Sequence, residues 1–224
     1  EAVSLLHMPN FHKLQELLPK LGQIRMVQAN YSQYSSRYDK YLEGTVLPAF
    51  DPQLSGGALY DINIYNLNLI IGLFGAPNNL IYQARKGFNG IDTSGVVLMS
   101  YPEFQALAIG AKDSDSPSTC LIQGEKGWLK VETAPNQLEK IACQIRGEDN
   151  IQEYALNQYP HRLSHEFAAF AAMLANKDFA GRDLYLNISL QVAEAAEKSR
   201  KQADISFLAD QYLRSVPGGA KCPE

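Results

Sequence analysis

Asp61, Tyr65 and Asn68 lie at i, i+4 and i+7 within GGALYDINIYNLNLIIGLFGAP, the stretch of the sequence most suggestive of chemistry. A carboxylate accepts hydrogen bonds, a phenol both gives and takes them, and an amide does both. On a wheel of about 100° per residue the three form one polar strip. Leu59, Ile62, Leu69, Ile70 and Leu73 fill one apolar side, and Ile64, Leu67 and Ile71 another. A helix apolar on two sides is deeply buried, so a carboxylate on its remaining strip is unusual. Two readings stand: Asp61 caps the helix start and Tyr65 fills core, or the strip faces a site. Asn63 and Asn66 fall outside the strip.

Other chemistry is poorly supplied. His161 and His165 are four apart, but HRLSH lacks the glutamate of a zinc-protease helix, and His7 and His12 are five apart, so these histidines read as structural. Neither GxGxxG nor GxxxxGK[ST] occurs, so no glycine loop is spaced to cradle a phosphate. Cys120, Cys143 and Cys222 are too few and too scattered for a disulfide framework or a thiolate metal site, which predicts a reduced, cytoplasmic setting. Lys86 and Lys126 read as surface charges.

The elements that must position the strip follow from the remaining pattern. Of the 224 residues, 46% are hydrophobic and 20% charged, enough for a core and too apolar for wholesale disorder. Twenty basic against 24 acidic residues leave a net charge of −4, which argues against a nucleic-acid binder. The uncharged stretch from Ile62 to Ala84 is long enough to span a membrane, but its asparagines and Pro77 would have to be buried in lipid. No signal peptide is evident, and an opening at Glu1 within an apolar segment predicts that something upstream was removed.

Residues 1–6 read as a short strand. Pro9 opens a helix that stops at Gly22, and a strand follows over Gln23 to Tyr34. SSRYDKYLEG and LPAFDPQLSGG read as loop, before a helix from about Ala58 to Phe74. From Asn79 to Leu156, short β-prone runs broken by GEKG, APNQ and GEDN predict an antiparallel meander, with KDSDSPS as its mobile loop. Two helices follow Pro160, the first with Phe167, Phe170, Ala171 and Leu174 as core. The second runs from Leu184 to about Ala203 and carries Leu186, Leu190, Val192, Ala193 and Ala196. Residues 204–207 read as a closing strand and VPGGAKCPE as a frayed end. No repeat or long linker divides the chain. The pattern predicts one α+β domain, a mostly antiparallel sheet with helices packed on one face.

GGALYDINIYNLNLIIGLFGAP also resembles the GGxxxDxGxY/H segment of the Gfo/Idh/MocA family, the glucose–fructose oxidoreductase and inositol dehydrogenase group. EAVSLLHMPNFHKLQELL resembles the run that opens the second domain of that family. IQGEKGWLKV resembles its hairpin, and LNISLQVAEAAEKSRKQADISF its last helix and strand. The likeness runs from Glu1 to about Phe207. It implies a two-domain NAD- or NADP-dependent oxidoreductase acting on a sugar, polyol or related hydroxy compound. This chain is similar to the C-terminal, substrate-binding and dimerisation domain alone, since the family's GxGxxG and EKP-type lysine both belong before Glu1. On that resemblance Tyr65 takes the acid–base position and Asp61 the family's aspartate, one moving a proton at the substrate oxygen and the other orienting hydroxyls. Asn68 joins them as a substrate contact, as do Arg37 and Tyr38 in the loop before the glycine pair. Two departures bear on the pocket: Asn63 stands where glycine is frequent, and Leu6 where many members have arginine.

The resemblance further implies a homodimer through the open sheet face, with no membrane or nucleic-acid partner. These residues alone are expected to be inactive and to bind neither NAD nor NADP, for want of a phosphate cradle. The alternative is a non-catalytic binding or dimerisation module built on the same sheet.

Overall fold

The computed structural model describes residues 3–211. Eight strands form one sheet in the order β2-β3-β4-β1-β5-β6-β7-β8. They are β1 (Ile24–Ser32), β2 (Asn79–Lys86), β3 (Asp92–Ser100), β4 (Gln105–Ala111), β5 (Thr119–Gly124), β6 (Gly127–Val131), β7 (Ile141–Ile145) and β8 (Gln152–Tyr154). Every neighbouring pair is antiparallel except β1 and β4, which run parallel from Met26 beside Gln105 to Ser32 beside Ala111. The expected meander is therefore corrected in one place, because β1 inserts between β4 and β5.

Alternation gives the sheet two unlike faces. Val27, Ala29, Tyr82, Val97, Met99, Ala106, Ala108, Cys120 and Ile122 are buried on one side. On the other, Ile81, Leu98, Leu107, Gln28, Leu121 and Lys130 lie side by side along one row of cross-strand partners. Ile81 and Leu98 there are 47% and 36% exposed.

The helices are α1 (Pro9–Leu17), α2 (Tyr38–Leu42), α3 (Ile64–Phe74), α4 (Leu163–Asn176) and α5 (Phe179–Gln202). Before α3 the chain winds as a π-helix over Leu59–Asn63. This π turn and α3 pack on β1 and β4. Close approach requires Gly110, since a Cβ there would lie 2.5 Å from that of Asn63. Asn63 and Asn66 use the proximity to donate to the β4 carbonyls of Ala108 and Ile109. The two asparagines outside the polar strip thus bind helix to sheet. Along the edge of β2, the Gln202 side chain accepts from the Tyr82 amide and donates to the Leu80 carbonyl. It imitates a ninth strand and protects that edge.

Several expectations change. Ser4–His7 is a 3₁₀ turn instead of a strand, SSRYDKYLEG contains α2, and LPAFDPQLSGG contains two 3₁₀ turns at Pro48–Phe50 and Pro52–Leu54. Residues 205–207 form no strand, although Ile205 and Phe207 are buried. The apolar stripe of α4 is not core: Phe167 is 66% and Leu174 80% exposed. On α5, Leu186 and Leu190 are likewise exposed, and only Val192, Ala195 and Ala196 of its apolar residues are buried. Periodicity states which side of a helix is apolar, but Phe167, Leu174, Leu186 and Leu190 lie exposed, while Phe170 meets the His7 ring and Val192 and Ala196 are buried. The VPGGAKCPE segment and Cys222 lie outside the described residues. Among the described residues no helix is long and apolar enough to cross a membrane.

Candidate active site

The π turn and the first turns of α3 face α5 across a cavity of about 360 Å³. Asp61, Tyr65 and Asn68 all line it, with Tyr60, Ile64 and Val3 beside them and Ser189, Val192, Ala193 and Ala196 opposite. The polar strip read at helical spacing is thus brought together, although its first residue sits on a π turn, where the 3.6-residue wheel does not apply. Asn68 is buried. Its amide nitrogen donates to the Ile64 carbonyl one turn back, which leaves Oδ1 buried with no hydrogen-bond partner. Tyr65 is half-buried, its ring 5.9 Å from that of Tyr31 on β1.

Asp61 does not cap the helix start. That work falls to Asp92 at the head of β3, whose Oδ2 accepts from the Leu59 amide and the Tyr82 hydroxyl, both at 2.6 Å. The chain gets close enough only because residue 57 is glycine, with φ of 104° and no Cβ to strike the Asp92 carboxylate. Burial pushes the Asp92 carboxyl up, while the Tyr82 hydroxyl and the Leu59 amide oppose the shift.

Asp61 itself is about half exposed, and its Oδ2 lies 2.6 Å from Nζ of Lys112. Lys112 terminates the covered end of the β4 strand, with only 3% of its side chain exposed. Its ammonium also donates to the Ala49 carbonyl at 2.6 Å and stands 4.3 Å over the Phe50 ring. Burial pushes the Lys112 pKa down, and Asp61 is the main opposing influence. Sequence reasoning missed this residue. KDSDSPS read as a mobile loop, yet Lys112 is buried and Asp113 accepts from the hydroxyls of Thr93 and Ser94. The available signal was position: a lysine directly after the apolar run FQALAIGA is carried inward by the strand.

Two other expected contacts stand apart. Arg37 and Tyr38 are not among the residues lining the cavity. Tyr38 instead packs against Tyr34, Tyr41 and Phe50, where α2 supports the turn beneath Lys112. Arg37 lies near enough to Lys112 to disfavour its charge. Leu6 is core, set against Gly72 of α3. Among the described residues no group of three or more His, Cys, Asp or Glu side chains is placed to hold a metal ion.

Comparison with known proteins agrees with this architecture. The family model described as the GFO/IDH/MocA C-terminal domain matches residues 11–130. The chain is 34% identical over 211 residues to scyllo-inositol 2-dehydrogenase (NADP(+)) IolU of Bacillus subtilis, covering 94% of this chain and 64% of that protein. It is 35% identical over 212 residues to the uncharacterized oxidoreductase YgjR of Escherichia coli, covering 94% and 63%. It therefore spans slightly less than two thirds of the length of these relatives. Among solved structures, an inositol dehydrogenase homolog from Azotobacter vinelandii complexed with NAD+ superposes with a TM-score of 0.68 at 16% identity, over 90% of this chain and 62% of that one. The 3-ketoreductase KijD10 of Actinomadura kijaniata, with NADP and TDP-benzene, gives 0.69 at 18% identity over 90% and 61%. Identities this low speak for the fold alone. With the family match across more than half its length and the relatives above 30% identity, the chain belongs to the Gfo/Idh/MocA family, in its C-terminal domain.

Proposed function

We propose that this chain is the substrate-side domain of an NAD- or NADP-dependent oxidoreductase acting on a sugar, polyol or related hydroxy compound. The observation that carries the reading is the convergence of Asp61, Tyr65 and Asn68 on one cavity.

The pair before the π turn is taken up by packing: Gly56 lies on the backbone of residues 48–51, and Gly57 on Asp92. The share of the reaction proposed for this chain is the substrate's half. A bound nicotinamide would take or give the hydride. Tyr65 Oη gives or takes the proton at the substrate oxygen. Asp61 and Asn68 accept hydrogen bonds from neighbouring hydroxyls and so fix which carbon is presented. We further propose a two-fold homodimer through the open sheet face, where Ile81, Leu98, Leu107 and Leu121 share a row. The setting we propose is the cytoplasm, in which the buried free thiols of Cys120 and Cys143 stay reduced.

The test is steady-state kinetics of the full-length protein with scyllo-inositol and related polyols, with NAD+ and NADP+ in turn. Tyr65→Phe is expected to lose roughly 10²–10⁴-fold in turnover at an unchanged melting temperature. Asp61→Asn is expected to raise KM as well. Near-normal turnover of a stable Tyr65→Phe protein would make Tyr65 core filler.

A further inference from the structure

We propose that Lys112 is a positioning residue for Asp61, fixing its carboxylate at the cavity so that one oxygen is held and the other is left for substrate. The inference rests on the reading of this cavity as the substrate site. Its foundation is an asymmetry. The lysine is buried and the aspartate half exposed, so the cation is the anchor and the anion the presented group.

The anchor is stiff along its whole length. The Lys112 amide donates to the Thr93 carbonyl at 2.8 Å, and its own carbonyl accepts from the Ser35 amide at 2.9 Å. Its ammonium meets Ala49 and the face of Phe50, and Phe50 is itself fully buried and stacked on Tyr41. A cation held this way cannot follow a wandering partner into solvent, so the partner must come to it. Asp61 is the ion-pair partner of Lys112, through Oδ2, while Oδ1 accepts no hydrogen bond from the described residues. Asp92 holds the same turn from below through the Leu59 amide. The carboxylate therefore has one degree of freedom removed by its backbone and another by its charge. An ordinary exposed ion pair would achieve little of this, because two flexible partners share the entropy cost of staying together.

A cycle of Lys112→Met, Asp61→Asn and the double variant in the full-length protein tests the proposal, with melts alongside. With scyllo-inositol and NADP+, Lys112→Met is expected to raise KM by about tenfold or more, with a smaller fall in kcat, as for loss of a charge-assisted contact. The double variant is expected to be no worse than Asp61→Asn. A purely structural lysine would lower the melting temperature, leave KM unchanged and add its effect to that of Asp61→Asn, and this result would overturn the proposal. Where the methionine variant does not fold, Lys112→Gln keeps a donor toward Ala49, falls short of Asp61, and should show the same rise in KM. A crystal structure of the folded variant decides independently of turnover. The Asp61 carboxylate is expected to leave its wild-type position, and an unmoved carboxylate refutes the role. Absence of any dehydrogenase activity in the wild-type protein would overturn the functional reading alone, with the crystallographic arm still deciding on Lys112.

Discussion

His7 shows how a single side chain couples the helical layer to pH. Its ring lies 5.2 Å from that of Phe170 on α4 and 4.4 Å from that of Tyr185 on α5, and its Nδ1 is buried without a hydrogen bond. Burial, with some help from His12, pushes its pKa from 6.5 down to about 4. The folded state thus resists protonation that the unfolded chain accepts at about 6.5. His7 stabilises fully above that pH, and its contribution is lost as pH falls from 6.5 toward 4, with a ceiling of about 3 kcal/mol. His7→Phe keeps a ring between Phe170 and Tyr185 and cannot titrate. Urea denaturation of wild type and variant at pH 7.5, 6, 5 and 4 should show the wild type losing stability faster across that window. Parallel curves would show that the imidazole does not stay neutral. At this scale the Asp61, Tyr65 and Asn68 strip was legible because all three share one continuous helical stretch. Lys112 was not, because its burial depends on Ala49 and Phe50, some sixty residues earlier in the chain.

The element that most affects the site is the π turn, and Gly110 sets its distance from the sheet. A Cβ at that position would meet Asn63 at 2.5 Å and its Cα at 3.1 Å, with backbone behind it and no flexible tip to move. Gly110→Ala should therefore lift the turn, strain the Asn63 and Asn66 bonds to β4, and cost about 1–3 kcal/mol. Thermal melts check this, and a melting temperature equal to the wild type would show that the turn yields freely. Activity should fall with stability, since Asp61 rides on the same turn. The helix itself was evident from apolar periodicity, but its π winding was not. One extra residue per turn leaves no compositional mark, and here it accompanies contacts with Asp92, Gly110 and the β4 carbonyls that sequence spacing does not reveal.

For the whole molecule the proposed pairing through the open sheet face is tested in solution. Ile81 and Leu98 are direct cross-strand partners on β2 and β3, both exposed, with Leu107 next in the row. If two copies pair there, placing like charges at the centre of the contact should separate them. Light scattering at micromolar concentration should report a dimer for the wild-type protein and a monomer for Ile81→Lys/Leu98→Lys at similar thermal stability. A monomeric wild type, or a dimer indifferent to both lysines, would place the contact elsewhere.

The sequence by itself determined the sheet region and the polar strip. Short β-prone runs such as NLIYQARKGF and TSGVVLMSY, with turn residues between them, are local signals written within a few residues of each other. It also carried the family, through a segment whose glycines, aspartate and tyrosine lie within ten residues. Only the tertiary structure decided that β1 lies between β4 and β5, because strand order is set by packing between segments some eighty residues apart. It alone left α4 and α5 with uncovered leucines and phenylalanines, since periodicity states which side of a helix is apolar and not what will cover it. The same holds at the site. The sequence supplied the carboxylate, and the fold supplied the buried lysine that holds it in place.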